Sequence, residues 1–339
     1  MPRLKRRPPE PAPEPEDEPV VGTPAAVPWA LGDLLRDGPA PLADRPGSEG
    51  FSVTLVLGPG TDTPRAAGIP PELLGALRAE GITPHVVTAA ELEEDAPPAA
   101  AAAPAADPLA AADVVLAAGW PAAPAVLTAP GLRARAVLAT AEPAPLAELG
   151  WASGVPVLGP AWLGGGLPAG ADAAYVPKPV HRREDLVLVH GEEPFGLLAA
   201  AEVAQRRDDL SFAVTGVRPD LALPFPFLGV DPGPEALAHA FASATVALAP
   251  AVRGWRPAAI AMLACGQAVV APDDAASRAA LGDAASFARG PLAAADAVEA
   301  FLADPDYALR AERARAGFAL VPGGWSATAA ALAAALRAL

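Results

Sequence analysis

Residues 253–274, RGWRPAAIAMLACGQAVVAPDD, contain a change of periodicity on which the reading of the whole chain turns. Pro257 opens a short helix that runs to Cys265, and proline is tolerated there because the first helical N–H needs no intrahelical partner. Gly266 ends it. QAVVAP, 267–272, then forms a short apolar run of the kind that fills a strand buried on both faces. A helix passing within two residues into such a strand is the second half of an alternating α/β unit, and alternating units build parallel sheets.

The same alternation extends in both directions. Strands are expected at 185–191, 210–216, 225–229, 245–250 and 286–289, with helices at 194–206, 234–243 and 274–281 between them. Helices near 293–303 and 307–317 and a terminal one from Ser326 complete this half. An earlier series begins at Phe51: strand 51–57, a helix over 71–81 with Leu73, Leu74 and Leu77 on one face, and strand 83–87. Further strands are expected at 112–119, 135–140 and 155–159, and the Ala/Pro tract 96–112 reads as a loop. Two α/β series in tandem predict two Rossmann-like domains facing across a cleft.

The expected division is 1–49 as an arm, 50–180 and 181–322 as the two domains, and 323–339 as a helix crossing back to the first. The arm is Pro-rich, basic and then acidic, and too poor in apolar residues to offset the entropy of ordering, so it is expected to be disordered. Its WALGDLL island, Trp29–Leu35, reads either as a docking helix for a protein partner or as a transient apolar patch.

With 339 residues the chain is long enough for two well-buried cores, and 52% hydrophobic content supplies them, although much of it is Ala. A formal charge of −15 argues against nucleic acid as a partner, because binding it needs clustered Lys and Arg to displace counterions. One cysteine and four histidines offer no metal-ligand spacing, so neither metal nor other cofactor is expected. No apolar run follows the basic start, and prolines and glycines break the uncharged stretch 154–171, so neither a signal peptide nor a membrane span is expected. The expectation is a cytoplasmic protein.

The order of pieces LVLVHG, FLGVDPGPEALAHAFASATVALAP, MLACGQAVVAP, FLADPDYALRAERARAGFA and GGWSATAAAL resembles the GT-B glycosyltransferases of the family-4 type. The first half is similar to a bacterial rhamnosyltransferase-like subgroup through ADVVLAAGW (112–120) and VLATAEP (137–143). The resemblance covers the chain from about Phe51 onward. It implies a GT-B architecture and metal-independent transfer of a sugar, from a nucleotide-diphosphate donor in the cleft, to a glycan or lipid-linked acceptor in surface-polysaccharide assembly.

By position, the resemblance places Gly58, Gly60, His190, Gly191, Glu192, Arg253, Arg256 and Ala261 on the donor side, and Glu142 as the candidate acceptor-side or catalytic carboxylate. Several donor features are eroded. Glu192 and Glu193–Pro194 stand where the family has an Arg and then a Lys for the diphosphate. Ala261 stands where a Glu accepts from the ribose, and Ala139–Thr140 replace a Gln–Asp pair. A lost charge-assisted contact costs about 1.5–3 kcal/mol, so either Arg253 and Arg256 have taken over the phosphate or catalysis has weakened. The alternative is a non-catalytic scaffold or regulatory partner of an active transferase. In it, Glu192 and Glu193 are expected to lie against Arg253 and Arg256 and close the pocket. His190 reads as a donor contact or at least as well as a satisfied strand-end histidine, and Trp120, Trp151 and Trp162 read as sugar-stacking rings or, the commoner role of such side chains, as core or interdomain packing.

Overall fold

The computed structural model describes residues 40–43, 50–88, 109–140, 154–172, 174–175, 183–191, 193–216, 222–230, 233–304, 308–321 and 323–339. Glu142, Trp151, Glu192, the Trp29–Leu35 island, most of the arm and the expected boundary at 180/181 lie outside these residues.

The first sheet contains β1 (Val53–Leu57), β2 (His85–Thr88), β3 (Val114–Ala118), β4 (Arg135–Leu138) and β5 (Val157–Leu158), in the spatial order β2-β1-β3-β4-β5. Every pairing is parallel. Each residue of β1 and β3 is buried, which explains why these strands are continuous apolar runs rather than alternating ones. Helix α1 (Pro71–Ala79) starts on its proline, carries Glu72 in the first turn and Arg78 in the last, and buries Leu73 and Leu77. That charge order suits the helix dipole.

A 3-10 turn at Trp120–Ala122 and helix α2 (Ala123–Thr128) were not expected from the sequence. Pro121 and Pro124 sit in first turns, where proline removes no needed donor, so the segment folds where composition signals a loop. A second 3-10 turn, Ala161–Leu163, carries Trp162.

The second sheet has the order β11-β10-β9-β6-β7-β8 and is also parallel throughout. Its strands are β6 (Arg183–His190), β7 (Ser211–Thr215), β8 (Leu228–Gly229), β9 (Ala244–Leu248), β10 (Ala268–Pro272) and β11 (Ala285–Ala288). The expected strand 225–229 contracts to the two exposed residues of β8. Prolines 224 and 226 cannot extend a ladder, and Phe225 turns into the core against Phe212, 4.8 Å between ring centres.

Helices α3 (Pro194–Arg206), α4 (Pro234–Ser243), α5 (Ala258–Ala264), α6 (Ala275–Leu281) and α7 (Pro291–Leu302) connect or cover these strands. Asp274 caps α6: its carboxylate accepts from the Ser277 N–H and hydroxyl, both at 2.8 Å. After α8 (Ala308–Leu320), helix α9 (Gly324–Arg337) returns to the first half and packs on α1. There Leu332 and Leu336 are fully buried, Thr328 donates to the Pro168 carbonyl at 3.2 Å, and Arg337 donates to the Glu80 carbonyl at 2.6 Å. The result is α/β, with two Rossmann-like halves facing across a cleft.

Candidate functional site

A cavity of about 230 Å³ lies between the halves. The second half contributes His190 at the carboxyl end of β6, Leu237 and Phe241 from α4, and Arg256–Ala258, Ile260 and Ala261 around the start of α5. The opposite wall is Gly170–Asp172, Tyr175 and Trp325 of α9. Open α/β sheets present ligands at the carboxyl ends of their strands, and the cavity occupies that position in the second sheet. Its volume lies below the roughly 300–1,000 Å³ of ordinary small-molecule sites.

Three aromatic side chains, Tyr175, Phe241 and Trp325, line the wall beside Asp172, His190 and Arg256. Tyr175 stacks on Phe241, 5.7 Å between centres and 26° between planes. Burial, and then the Asp172 carboxylate, push the Tyr175 phenol above its ordinary pKa, with Cys265 adding a smaller contribution. Ala261 contributes only a methyl group. Trp325 lies so close to Gly170 that a β-carbon there would come within 2.3 Å of the indole ring, so this wall is built around a glycine. The Trp325 indole N–H donates to Asp172 Oδ1 at 2.7 Å, fixing that carboxylate beside the cavity.

The segment joining β9 to α5 carries the two candidate arginines and is held from both sides. Glu193 Oε2 accepts from the Ala251 N–H at 3.0 Å, and its other oxygen lies 3.4 Å from Arg253 Nε. Across the cleft, the Trp162 indole N–H donates to the Gly254 carbonyl at 2.8 Å, and the Trp255 indole N–H donates to the Ala139 carbonyl at 2.6 Å. Each half therefore inserts a tryptophan that bonds to the backbone of the other. Ala139 and Thr140, the positions of the expected Gln–Asp pair, lie under this segment.

The structure pairs Glu193 with Arg253 but gives Arg256 other partners. Its guanidinium contacts Glu72 at the start of α1, approaches Asp172 Oδ1 at 3.6 Å, and lies 5.8 Å from the centre of the Trp325 ring. Burial and the nearby charge of Arg65 lower the Arg256 pKa. The expected pairing of Arg256 with a carboxylate of its own half is thus replaced by first-half carboxylates: α1 carries Glu72 to the cleft, and Asp172, in the irregular segment beyond the second 3-10 turn, is held there by Trp325 of α9. Arg65, Glu72, Asp172, Tyr175 and Trp325 are not among the sequence candidates: all lie far from residues 253–261 in the chain, and of them only Trp325 falls in a motif of the resemblance, GGWSATAAAL.

Of the remaining candidates, Gly191 donates its N–H to the Thr215 carbonyl at 2.7 Å at the end of the second sheet. Gly58 is buried against Pro121, where a β-carbon would come within 2.7 Å of the proline's own. Gly60 lies in the exposed turn beyond β1. Trp162 is an interdomain packing residue, and Cys265 is buried in the turn between α5 and β10.

This arrangement of two parallel sheets recurs in solved structures. One is AviGT4, a glycosyltransferase involved in avilamycin A biosynthesis, 19% identical over 85% of this chain and 98% of that one, with a TM-score of 0.50. The chain has the GT-B fold. Sucrose-phosphate synthase from Thermosynechococcus elongatus shares this fold with a TM-score of 0.55 at 14% identity, covering 85% of this chain and 98% of that one. Anabaena HepE, solved in complex with UDP, also gives 0.55, at 11% identity, over 85% of this GT-B chain and all of its own. No protein-family model and no curated protein matches the sequence. Among the described residues no single helix is long and apolar enough to cross a membrane.

Proposed function

We propose that this GT-B chain is a glycosyltransferase that takes a sugar from a nucleotide-diphosphate donor held in the cleft. The observation that carries the reading is the interdomain cavity at the carboxyl ends of the second sheet, with Arg256 on its wall. A guanidinium there suits a diphosphate leaving group, since Arg pairs with phosphate through two parallel N–H bonds. That HepE shares the fold and was solved with UDP supports a nucleoside diphosphate as the ligand class. The finer reading is transfer in the cytoplasm, without metal, to a glycan or lipid-linked acceptor of surface-polysaccharide assembly. It follows the family-4, rhamnosyltransferase-like resemblance, with Glu142 as the acceptor-side carboxylate.

One observation favours a second reading, a non-catalytic partner of an active transferase. Glu193 occupies both Arg253 and the Ala251 N–H, and Ala261 offers the ribose nothing to bond. Calorimetric titration of the full chain with UDP, GDP and dTDP separates the two. Saturable binding to wild type, lost in Arg256→Gln, is expected for the transferase. Absence of binding at millimolar concentration, with binding restored by Ala261→Glu, would establish the second reading.

A further inference from the structure

Arg256 is already occupied. Its partner Glu72 belongs to the other half of the molecule, projecting from the first turn of α1. The two carboxylates beside Arg256 differ in their commitments. Asp172 is 24% exposed and bound to the Trp325 indole, so it is fixed. Glu72 is 45% exposed, Arg256 is 43% exposed, and their ion pair is the one contact the structure assigns to the Glu72 side chain among the described residues. An ion pair that open to solvent is weak and exchangeable.

The guanidinium itself does not need Glu72 to stay in place. The Trp325 ring beneath it and Asp172 at its side hold it at the cavity wall. Arg65 adds a second positive charge from the first half, felt by Arg256 as repulsion. Positive charge from both sides of the cleft thus meets around one displaceable carboxylate. A diphosphate carries more negative charge than that carboxylate and can bond a guanidinium at two points.

We infer that Glu72 is a built-in competitor for the diphosphate: it occupies Arg256 while the cleft is empty and is displaced when a diphosphate binds. This rests on the donor reading above and adds a regulation of that site. Binding then exchanges one ion pair for another and frees the Glu72 side chain. Affinity for any diphosphate is set by the difference between the two pairs.

The test uses inorganic pyrophosphate, which lacks base and sugar, titrated calorimetrically into the full chain. Glu72→Gln should bind it about fivefold more tightly than wild type, the ratio expected for removing a half-exposed competitor. The Glu72→Gln, Arg256→Gln double variant should lose that gain. Asp62→Asn removes a first-half charge that is not bonded to Arg256 and should leave the affinity unchanged. Equal affinity in wild type and Glu72→Gln, no pyrophosphate binding by Glu72→Gln, or an equal gain in Asp62→Asn would each overturn the inference. The donor reading is judged separately. UDP bound equally by wild type and Glu72→Gln removes the competitor and leaves the donor, whereas a pyrophosphate gain without binding of any nucleoside diphosphate keeps the competitor and removes the nucleotide.

Discussion

Trp255 of the second half donates its indole N–H to the carbonyl of Ala139 in the first, at 2.6 Å, with both residues buried. The reciprocal bond from Trp162 to Gly254 makes the contact a clasp, and it bears directly on how the halves move. Parting them exchanges two hydrogen bonds for bonds to water, at a net cost of about 0.5–1.5 kcal/mol each, and exposes two indole rings.

Trp255→Phe retains most of the ring volume and removes the donor. It should lower unfolding stability by about 1–2 kcal/mol, read as a shift of the urea midpoint with unchanged slope. Trp255→Ala should cost about 3–5 kcal/mol, because a large buried side chain is lost as well. A Phe variant as stable as wild type would show that the bond forms equally well to water.

Gly170→Ala places a methyl group against the Trp325 ring, which must move. Overpacking of this kind costs about 1–3 kcal/mol. The near-ultraviolet circular dichroism of the six tryptophans should change along with the stability. An unchanged spectrum would place the ring elsewhere.

Tyr175 is one of two tyrosines, and its phenol ionises above the ordinary tyrosine value, chiefly through burial and then through Asp172. The folded value lies above the unfolded one, so the neutral phenol's contribution to stability is complete below the unfolded pKa and is lost as pH rises through the folded one. Spectrophotometric titration should resolve this late-ionising tyrosine. Asp172→Asn should bring it partway down, leaving the part due to burial.

Leu332→Ala in α9 removes a fully buried side chain from the layer that covers α1, and should cost about 2–5 kcal/mol. The loss should be felt by the first sheet: hydrogen exchange of β1 and β3 should accelerate together. Acceleration confined to β9 and β10 would assign the helix to the wrong half.

The alternation of strands and helices was readable because a parallel strand buried on both faces must be apolar along its whole length, as VTLVL and VVLAA are. Helix α2 was not, since six residues of Ala, Pro, Val, Leu and Thr carry no usable period. The segment that carries Arg253 and Arg256 could be located by the helix–glycine–strand junction, and the pairing of Glu193 with Arg253 follows from their positions beyond the ends of two strands of one sheet. The clasp could not be foreseen, because an indole that bonds to a backbone carbonyl selects no residue type at the accepting position. Nor could the partner of Arg256, since α1 comes beside α5 only once both halves are folded.

The return of α9 to α1 has a consequence for synthesis on the ribosome. Domains ordinarily fold in the order in which they emerge. Here the half that emerges first lacks Leu332, Leu336 and the Trp325 contacts until the second half has been made. The earlier half must wait, with the apolar face of α1 uncovered, and is completed later than the half that follows it. Translation rate and chaperone supply during that interval therefore bear on the yield of native protein.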